Sequence, residues 1–285
     1  MLSYRHGFHA GGFSDVLKHI TLIALLDYLN LKDKPYCYLD THAGAGLYPL
    51  DHRFMSKTQE YETGIGKLLG QYFDCPALDR YLHVVASFNS EGKLKQYPGS
   101  PKIAQVCSRE CDRLQLVELH SKEVMELRKN FVGSERARVY EQSAISSVLS
   151  FLPPKEKRGL VFIDPPYELE AEYFGTVELL RAAAERFPSG IYALWYPVIE
   201  RRKTEIFTRK VSRLPFNTGI RIEHCHAQTE EESRGLLGSG MIVFNPPYTL
   251  KETLSPVLKI LNRSLSETPG IYKITEFIPS SGNLE

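Results

Sequence analysis

The sequence predicts an α/β fold: a mostly parallel sheet covered by helices, with a helical insertion after the first strand. Three observations predict it. From residue 114 onward, short apolar strands alternate with helical segments, the pattern of a parallel sheet buried on both faces. The first strand runs into a glycine-rich turn, Asp40-Thr41-His42-Ala43-Gly44-Ala45-Gly46, as at the entry of a nucleotide-binding unit. A later apolar run, Gly159–Ile163, ends in Asp164-Pro165-Pro166-Tyr167, and two prolines cannot continue a sheet ladder.

Each element follows in order. Ser14-Asp15 is placed to cap a helix running to about Asn30, with Val16, Leu17, Ile20, Ile23 and Ala24 at helical spacing. Tyr36–Leu39 is the first strand. Two helical stretches, Glu60 to Leu69 and Leu78 to Phe88, fall in an insertion over residues 49–96. This divides the chain into an arm, helix and first strand (1–48), the insertion (49–96) and the remainder (97–285). Tyr97-Pro98-Gly99-Ser100-Pro101 starts the next helix, with Ser100 as its cap. Strand Leu114–Val117 ends at Glu118, helix Lys122 to Phe131 follows, and Arg138–Glu141 is a third strand. A helix over Ala144 to Phe151 leads to the fourth strand, before Asp164. Helix Glu170 to Phe187, strand Ile191 to Trp195, helix Ile199 to Arg213 and strands Ile220 to Cys225 and Met241 to Phe244 complete the set.

Bulk properties exclude several classes. The 285 residues are 42% apolar and 24% charged, unlike a disordered or collagen-like chain. No apolar run is long enough to span a bilayer, and the first residues lack a secretory h-region. The five cysteines, Cys37, Cys75, Cys107, Cys111 and Cys225, form no C-x-x-C pair, which points to a reducing cytoplasm. The histidines match no zinc spacing, so no metal is expected, and His224 and His226 are expected on an exposed strand face. With a net charge of +1, any nucleic-acid contact must be made by local positive charge.

The special residues share one edge of the predicted sheet. Asp40, Glu118, the Glu141–Ser143 segment and Asp164 all end strands, and ligands of open α/β sheets bind there. An acid after the second strand suits the hydroxyls of a ribose. Removing about fifty inserted residues brings the Asp40–Glu118 gap near the usual spacing of about twenty. The turn lacks G-x-G-x-x-G spacing, which disfavours a pyrophosphate and hence a dehydrogenase. S-adenosyl-L-methionine has no phosphate, and its sulfonium suits a site ringed by Asp40, Glu118 and Asp164. The helix start at Ser100 is available to its carboxylate. Asp164, the Pro165 carbonyl and the Tyr167 ring together suit a planar exocyclic amine: two hydrogen-bond acceptors and a stacking face. A second tetrapeptide, Asn245-Pro246-Pro247-Tyr248, would suit an amide substrate but comes after the last predicted strand, away from the switch point.

Several blocks resemble a known family. Leu2-Ser3-Tyr4-Arg5-His6-Gly7-Phe8-His9-Ala10-Gly11, Asp15-Val16-Leu17-Lys18-His19 and Tyr38-Leu39-Asp40-Thr41-His42-Ala43-Gly44-Ala45-Gly46 are similar to the bacterial 23S rRNA adenine-N6 methyltransferases of the RlmJ type. So are Tyr97–Pro101, Leu116–His120, Ile163–Tyr167 and Gly190–Pro197. The resemblance spans nearly the whole chain and implies a Rossmann-like class I methyltransferase using S-adenosyl-L-methionine on one adenine of 23S ribosomal RNA. It implies cofactor contacts at His19, His42, Ser100, Glu118 and Asp164, with Gly44 in the close-approach turn and Ser143-Ala144 after the third strand. Asp164, Pro165 and Tyr167 form the implied catalytic turn. Tyr4 is implied to meet RNA, and Arg5, His6 and Lys18 extend that basic-aromatic surface. One departure stands out: the family's Asp-Gly after the third strand is here Ser143-Ala144, leaving Ser143 or Glu141 to hold the cofactor's adenine amine. A cytoplasmic monomer follows. DNA as substrate, or a catalytically silent RNA-binding module on the same scaffold, are the alternatives.

Overall fold

Five parallel strands give the molecule its frame. The computed structural model describes residues 7, 9–50, 59–90, 92–227, 235–266 and 270–279. β1 (Cys37–Asp40) lies between β4 (Arg113–Glu118) and β6 (Gly159–Ile163); β5 (Ala137–Glu141) pairs outside β4, and β7 (Ile191–Val198) outside β6. Beyond β7 the direction reverses. β9 (Gly238–Phe244) runs antiparallel to both β7 and β8 (Gly219–Cys225), and β10 (Ile271–Phe277) closes the edge antiparallel to β8. The order is therefore β5-β4-β1-β6-β7-β9-β8-β10. This is the Rossmann-like arrangement of class I methyltransferases, with one further strand at the edge.

Burial follows from this arrangement. Every residue of β6, β7 and β9 is buried, as expected of strands covered on both faces. Helix Phe13–Asn30 is apolar nearly all round and lies buried, packed on β9 and beside helices Pro76–Ser87 and Ser100–Cys107. No helix among the described residues is long and apolar enough to cross a membrane.

The stretch after β1 holds helix Glu60–Thr63, a short 3₁₀ turn at Ile65–Lys67 and helix Pro76–Ser87. Its two ends are joined by an antiparallel ribbon, β2 (Leu47–Pro49) with β3 (Gln96–Pro98). The sequence reading contains no such ribbon, because three-residue strands have no resolvable periodicity.

Several expectations are corrected. Gly12, not Ser14 or Asp15, precedes the first helical residue; Asp15 sits in the first turn, where it accepts the Gly11 N–H (2.9 Å). Gly99 is the cap position of helix Ser100–Cys107, so Ser100 is its first residue. Helix Leu250–Leu265 and β10 lie beyond the last expected strand. That helix contains Pro256 yet buries Leu254, Val257, Leu258 and Leu261 completely. His224 is not on an exposed face: it is fully buried against the Phe13 ring, and burial pushes its pKa down to about 4. All five cysteines are free thiols, and Cys111 lies in the turn after helix Ser100–Cys107.

Candidate active site

The chain crosses from one half of the sheet to the other between β1 and β6, and a pocket opens there beyond the strand ends. Register sets its geometry. Asp40 is level with Leu116 of β4 and with Phe162 of β6, so Glu118 and Asp164 each stand two residues above it. The two acids flank the β1 turn at the same height.

The turn itself is built by close packing. Gly44 adopts φ +59°, and a Cβ there would fall 2.2 Å from the Tyr48 hydroxyl. The same hydroxyl accepts the Ala45 N–H (3.1 Å), while the Gly44 N–H donates to Glu118 Oε2 (2.7 Å). Glu118 Oε1 accepts the His120 N–H (2.7 Å), so both of its oxygens are oriented by backbone donors. Burial raises the Glu118 pKa, and the backbone donors from His120 and Gly44 oppose that rise. Asp40 lies beneath the floor, fully buried, accepting from the Tyr38 hydroxyl (2.6 Å) and from Ser100. Burial pushes its pKa up to about 6 against those hydroxyl donors. Asp40 therefore holds Ser100 and the turn in place and does not line the pocket, which corrects its expected place in the ring of acids.

His19, His42, Gly44, Ser100, Glu118, Ser143, Ala144, Asp164 and Pro165 all line this single pocket. His19 is fixed through Nδ1 to the Tyr97 hydroxyl (2.7 Å), and burial lowers the His42 pKa to about 4, so that ring is neutral at pH 7. Ser143 lines the wall, whereas Glu141 points away, ion-paired to Arg128 at the surface. Other lining residues went unnoticed in the sequence: Tyr48, His120, Glu123, Gln142, Ile145, Glu172 and Thr176. No sequence motif marks them. His120 Nδ1 is buried without a hydrogen-bond partner among the described residues. Among the described residues the lining holds Glu118, Glu123, Asp164 and Glu172 but no lysine or arginine.

Two expectations about side chains are overturned. Lys18 is not an exposed cation awaiting RNA: it is only 2% exposed, with Nζ 2.6 Å from Asp164 Oδ2 and 2.8 Å from Asp15 Oδ1. Burial alone would lower its pKa, but the Asp15 and Asp164 carboxylates outweigh burial and raise it. Its Nζ also sits 5.0 Å from the Trp195 ring centre. Tyr167 is not a free stacking face. At φ +54° its ring turns inward, 7% exposed, and its hydroxyl donates to the Trp195 carbonyl (3.0 Å). It packs among Tyr173, Trp195 and Phe207. Pro165 and Pro166 are left as the wall that the turn presents to the pocket. Tyr4, Arg5 and His6 lie outside the described residues.

A family model described as "Ribosomal RNA large subunit methyltransferase D, RlmJ" matches residues 33–278. The chain belongs to this family. It is 43% identical over 266 residues to the ribosomal RNA large subunit methyltransferase J of Escherichia coli K12, covering 93% of this chain and 94% of that one. The Haemophilus influenzae Rd protein of the same name is 42% identical over 267 residues, with the same coverage. A crystal structure of a Legionella pneumophila protein superposes with a TM-score of 0.86 at 38% identity, covering 94% of this chain and 98% of that one. Membership in the ribosomal RNA large subunit methyltransferase family makes the chain a methyltransferase, and the pocket at the β1–β6 crossing is the candidate site for that chemistry.

Proposed function

We propose that the chain methylates the N6 amino group of a specific adenine in 23S ribosomal RNA, with S-adenosyl-L-methionine as donor. The observation that carries this reading is the Asp164 turn, which faces Glu118 across a pocket whose charged lining is acidic. The lining fits that donor. Among the described residues its four carboxylates, with no lysine or arginine, favour a cationic sulfonium over a phosphate. Glu118, fixed by two backbone donors, retains lone pairs for ribose hydroxyls. Gln142 and Ser143 line the wall after β5 and would hold the cofactor's base in place of the family's aspartate; His120 Nδ1, without a hydrogen-bond partner among the described residues, belongs to a residue of the same lining.

When bound, the donor supplies an electrophilic methyl group on a positively charged sulfur. The chain's own residues do the rest. Lys18 engages Asp164 Oδ2, and Oδ1 has no partner among the described residues. Asp164 Oδ1 and the Pro165 carbonyl accept the two N–H groups of the amine and draw its lone pair out of ring conjugation. The N–methyl bond would form as the sulfur–methyl bond breaks, with that electron pair staying on sulfur, and the proton shed by the nitrogen passes to Asp164 Oδ1. Holding the reactants in line supplies much of the rate. The base must be unpaired or extruded, which costs a few kcal/mol if it starts in a helix. Pro165 and Pro166 provide its apolar contact surface in the state described, with Tyr167 packed beneath them. The chain is proposed to act as a monomer without a metal, in the cytoplasm, where free thiols persist.

The test is incubation of the protein with labelled S-adenosylmethionine and protein-free large-subunit ribosomal RNA, with DNA as control, followed by nucleoside analysis. Label in N6-methyladenosine at one position, absent with Asp164→Ala, is expected. Label only in DNA, or in no nucleic acid, overturns the reading.

A further inference from the structure

We infer that the outer face of helix Arg201–Val211 is a second RNA-contacting surface, which holds the phosphates flanking the target adenine. The inference rests on the function proposed above and adds the route by which the RNA leaves the pocket.

This segment carries more cations than its acids can neutralise. Arg201 turns toward the sheet and pairs with Glu223, and Arg221 on β8 is taken up by Glu205 and Glu223. Lys203 pairs with Glu200. Both acids of the 200–213 segment are thereby used. Arg202, Arg209, Lys210 and Arg213 remain exposed, with no ion-pair partner among the described residues. Arg202, Ile206, Arg209 and Arg213 follow at intervals of four, three and four, so they form one stripe. Ile206 is half exposed within it. In a chain with net charge +1, such a local excess is a feature of this face and not of the whole surface.

Position links the stripe to the pocket. β6 and β7 are parallel, so the end of β7 that leads into this helix lies on the same sheet edge as Asp164. Phe207, on the helix's inner face, contacts the ring of Tyr167 from the catalytic turn. The helix therefore starts at the pocket's sheet edge and passes beside the turn, and its stripe extends for about 16 Å, at ~1.5 Å per residue. That is long enough to follow several phosphates of one strand, which advance ~3.4 Å each along a duplex axis.

The experiment compares Arg202→Gln/Arg209→Gln/Arg213→Gln with a control lacking Lys32, Lys34 and Lys155, exposed cations at the opposite sheet edge. Binding to protein-free large-subunit ribosomal RNA is titrated from low to high salt, and methyl transfer is measured in parallel. The stripe variant is expected to weaken RNA binding ~10-fold or more at moderate salt. It should flatten the slope of log affinity against log salt by ~2, as three lost single-strand phosphate contacts require. Cofactor affinity and turnover at saturating RNA should match the unmodified protein, so that KM for RNA carries the loss. Equal behaviour of stripe and control variants overturns the inference. So does a stripe variant that keeps RNA binding but loses adsorption to vesicles containing phosphatidylglycerol. RNA binding is read without turnover, so failure of wild-type methylation would strike the proposed function and not this surface.

Discussion

The chain contains a Pro-Pro-Tyr turn on each rim of its sheet, and the two are built for different ends. Asp164-Pro165-Pro166-Tyr167 leaves β6 at the rim where the pocket opens. Asn245-Pro246-Pro247-Tyr248 leaves β9, which is antiparallel, so Phe244 lies beside Tyr192 near the start of β7, on the opposite rim. The first turn presents a carboxylate held by a buried lysine and buries its tyrosine. The second reverses both features. The Asn245 side chain is spent on the Pro188 and Gly190 carbonyls (2.8 and 2.7 Å), and Tyr248 is 85% exposed. Even the residue at positive φ differs: Tyr167 in one turn, Asn245 in the other. A tetrapeptide thus acquires chemistry from the direction of its strand and from what stands behind its first side chain.

The sharpest test of this contrast exchanges nothing between the turns but removes each polar group in place. Asp164→Ala should lower methyl transfer by roughly 10²–10³-fold or more, the scale for loss of a positioned polar group. Lys18 keeps Asp15 as partner in that variant, so the fold should persist. Unchanged turnover would abolish the distinction between the two turns. Lys18→Met strikes from behind. It strands the Asp15 and Asp164 carboxylates, and an unfolding titration should show a loss of about 3–5 kcal/mol, as for other buried pairs broken on one side.

Asn245→Ala probes the other turn. It should leave turnover per folded molecule unchanged and lower stability by about 1–3 kcal/mol, because two carbonyls lose their donor. Asn245→Gly, which relieves the positive φ, should recover part of that loss. Smaller still is the tyrosine pair. Tyr167→Phe removes the bond to the Trp195 carbonyl and should cost about 1 kcal/mol in thermal or denaturant unfolding. Tyr248→Phe should stay within about 0.5 kcal/mol of the parent.

The last difference is in pH. The first turn's neighbourhood holds His42, neutral in the fold with its pKa at about 4 against an ordinary 6.5. Between those values the unfolded chain binds a proton that the fold refuses. Stability from this site is therefore full above pH 6.5 and declines as pH falls toward 4. His224, lowered to about 4 by burial, adds to the decline, while Asp40, raised to about 6, offsets part of it. Unfolding curves of His42→Asn between pH 7 and 4 should be flatter than those of the parent. Parallel curves would remove His42 as a source of acid lability.

How much of this was legible in the sequence depends on the range of the forces involved. Strand ends and the acids upon them follow local apolar runs, so Glu118, Asp164, Gly44 and Ser143 were found on one pocket. Strand direction was not legible. Nothing in Met241–Phe244 says that it runs backwards, and only pairing with β7 and β8 settles it. Lys18 and Tyr167 depart from expectation for one reason: a charge and a ring carry no local sign that they are buried. The partners that bury them, Asp164 for the lysine and Trp195 and Phe207 for the tyrosine, come from distant stretches. Helix Leu250–Leu265 is hidden in the sequence although its leucines recur at helical spacing, because Pro256 interrupts the pattern.

The small ribbon of β2 and β3 has a consequence for how such a chain can vary. It returns the backbone to within one inter-strand spacing, about 4.8 Å, of where it departed. Gly99 then donates its N–H to the Gly46 carbonyl (2.8 Å), so the β1 turn and the helix bearing Ser100 are fastened to each other directly. What lies between the two ribbon strands can lengthen or shorten with only a logarithmic entropic charge. The ribbon and this clasp thereby fix where the inserted segment leaves and rejoins the pocket wall, while Tyr81 within it reaches Tyr97, the partner of His19. A change of length in that segment would alter the outer surface beside the pocket while its two points of attachment stay where they are.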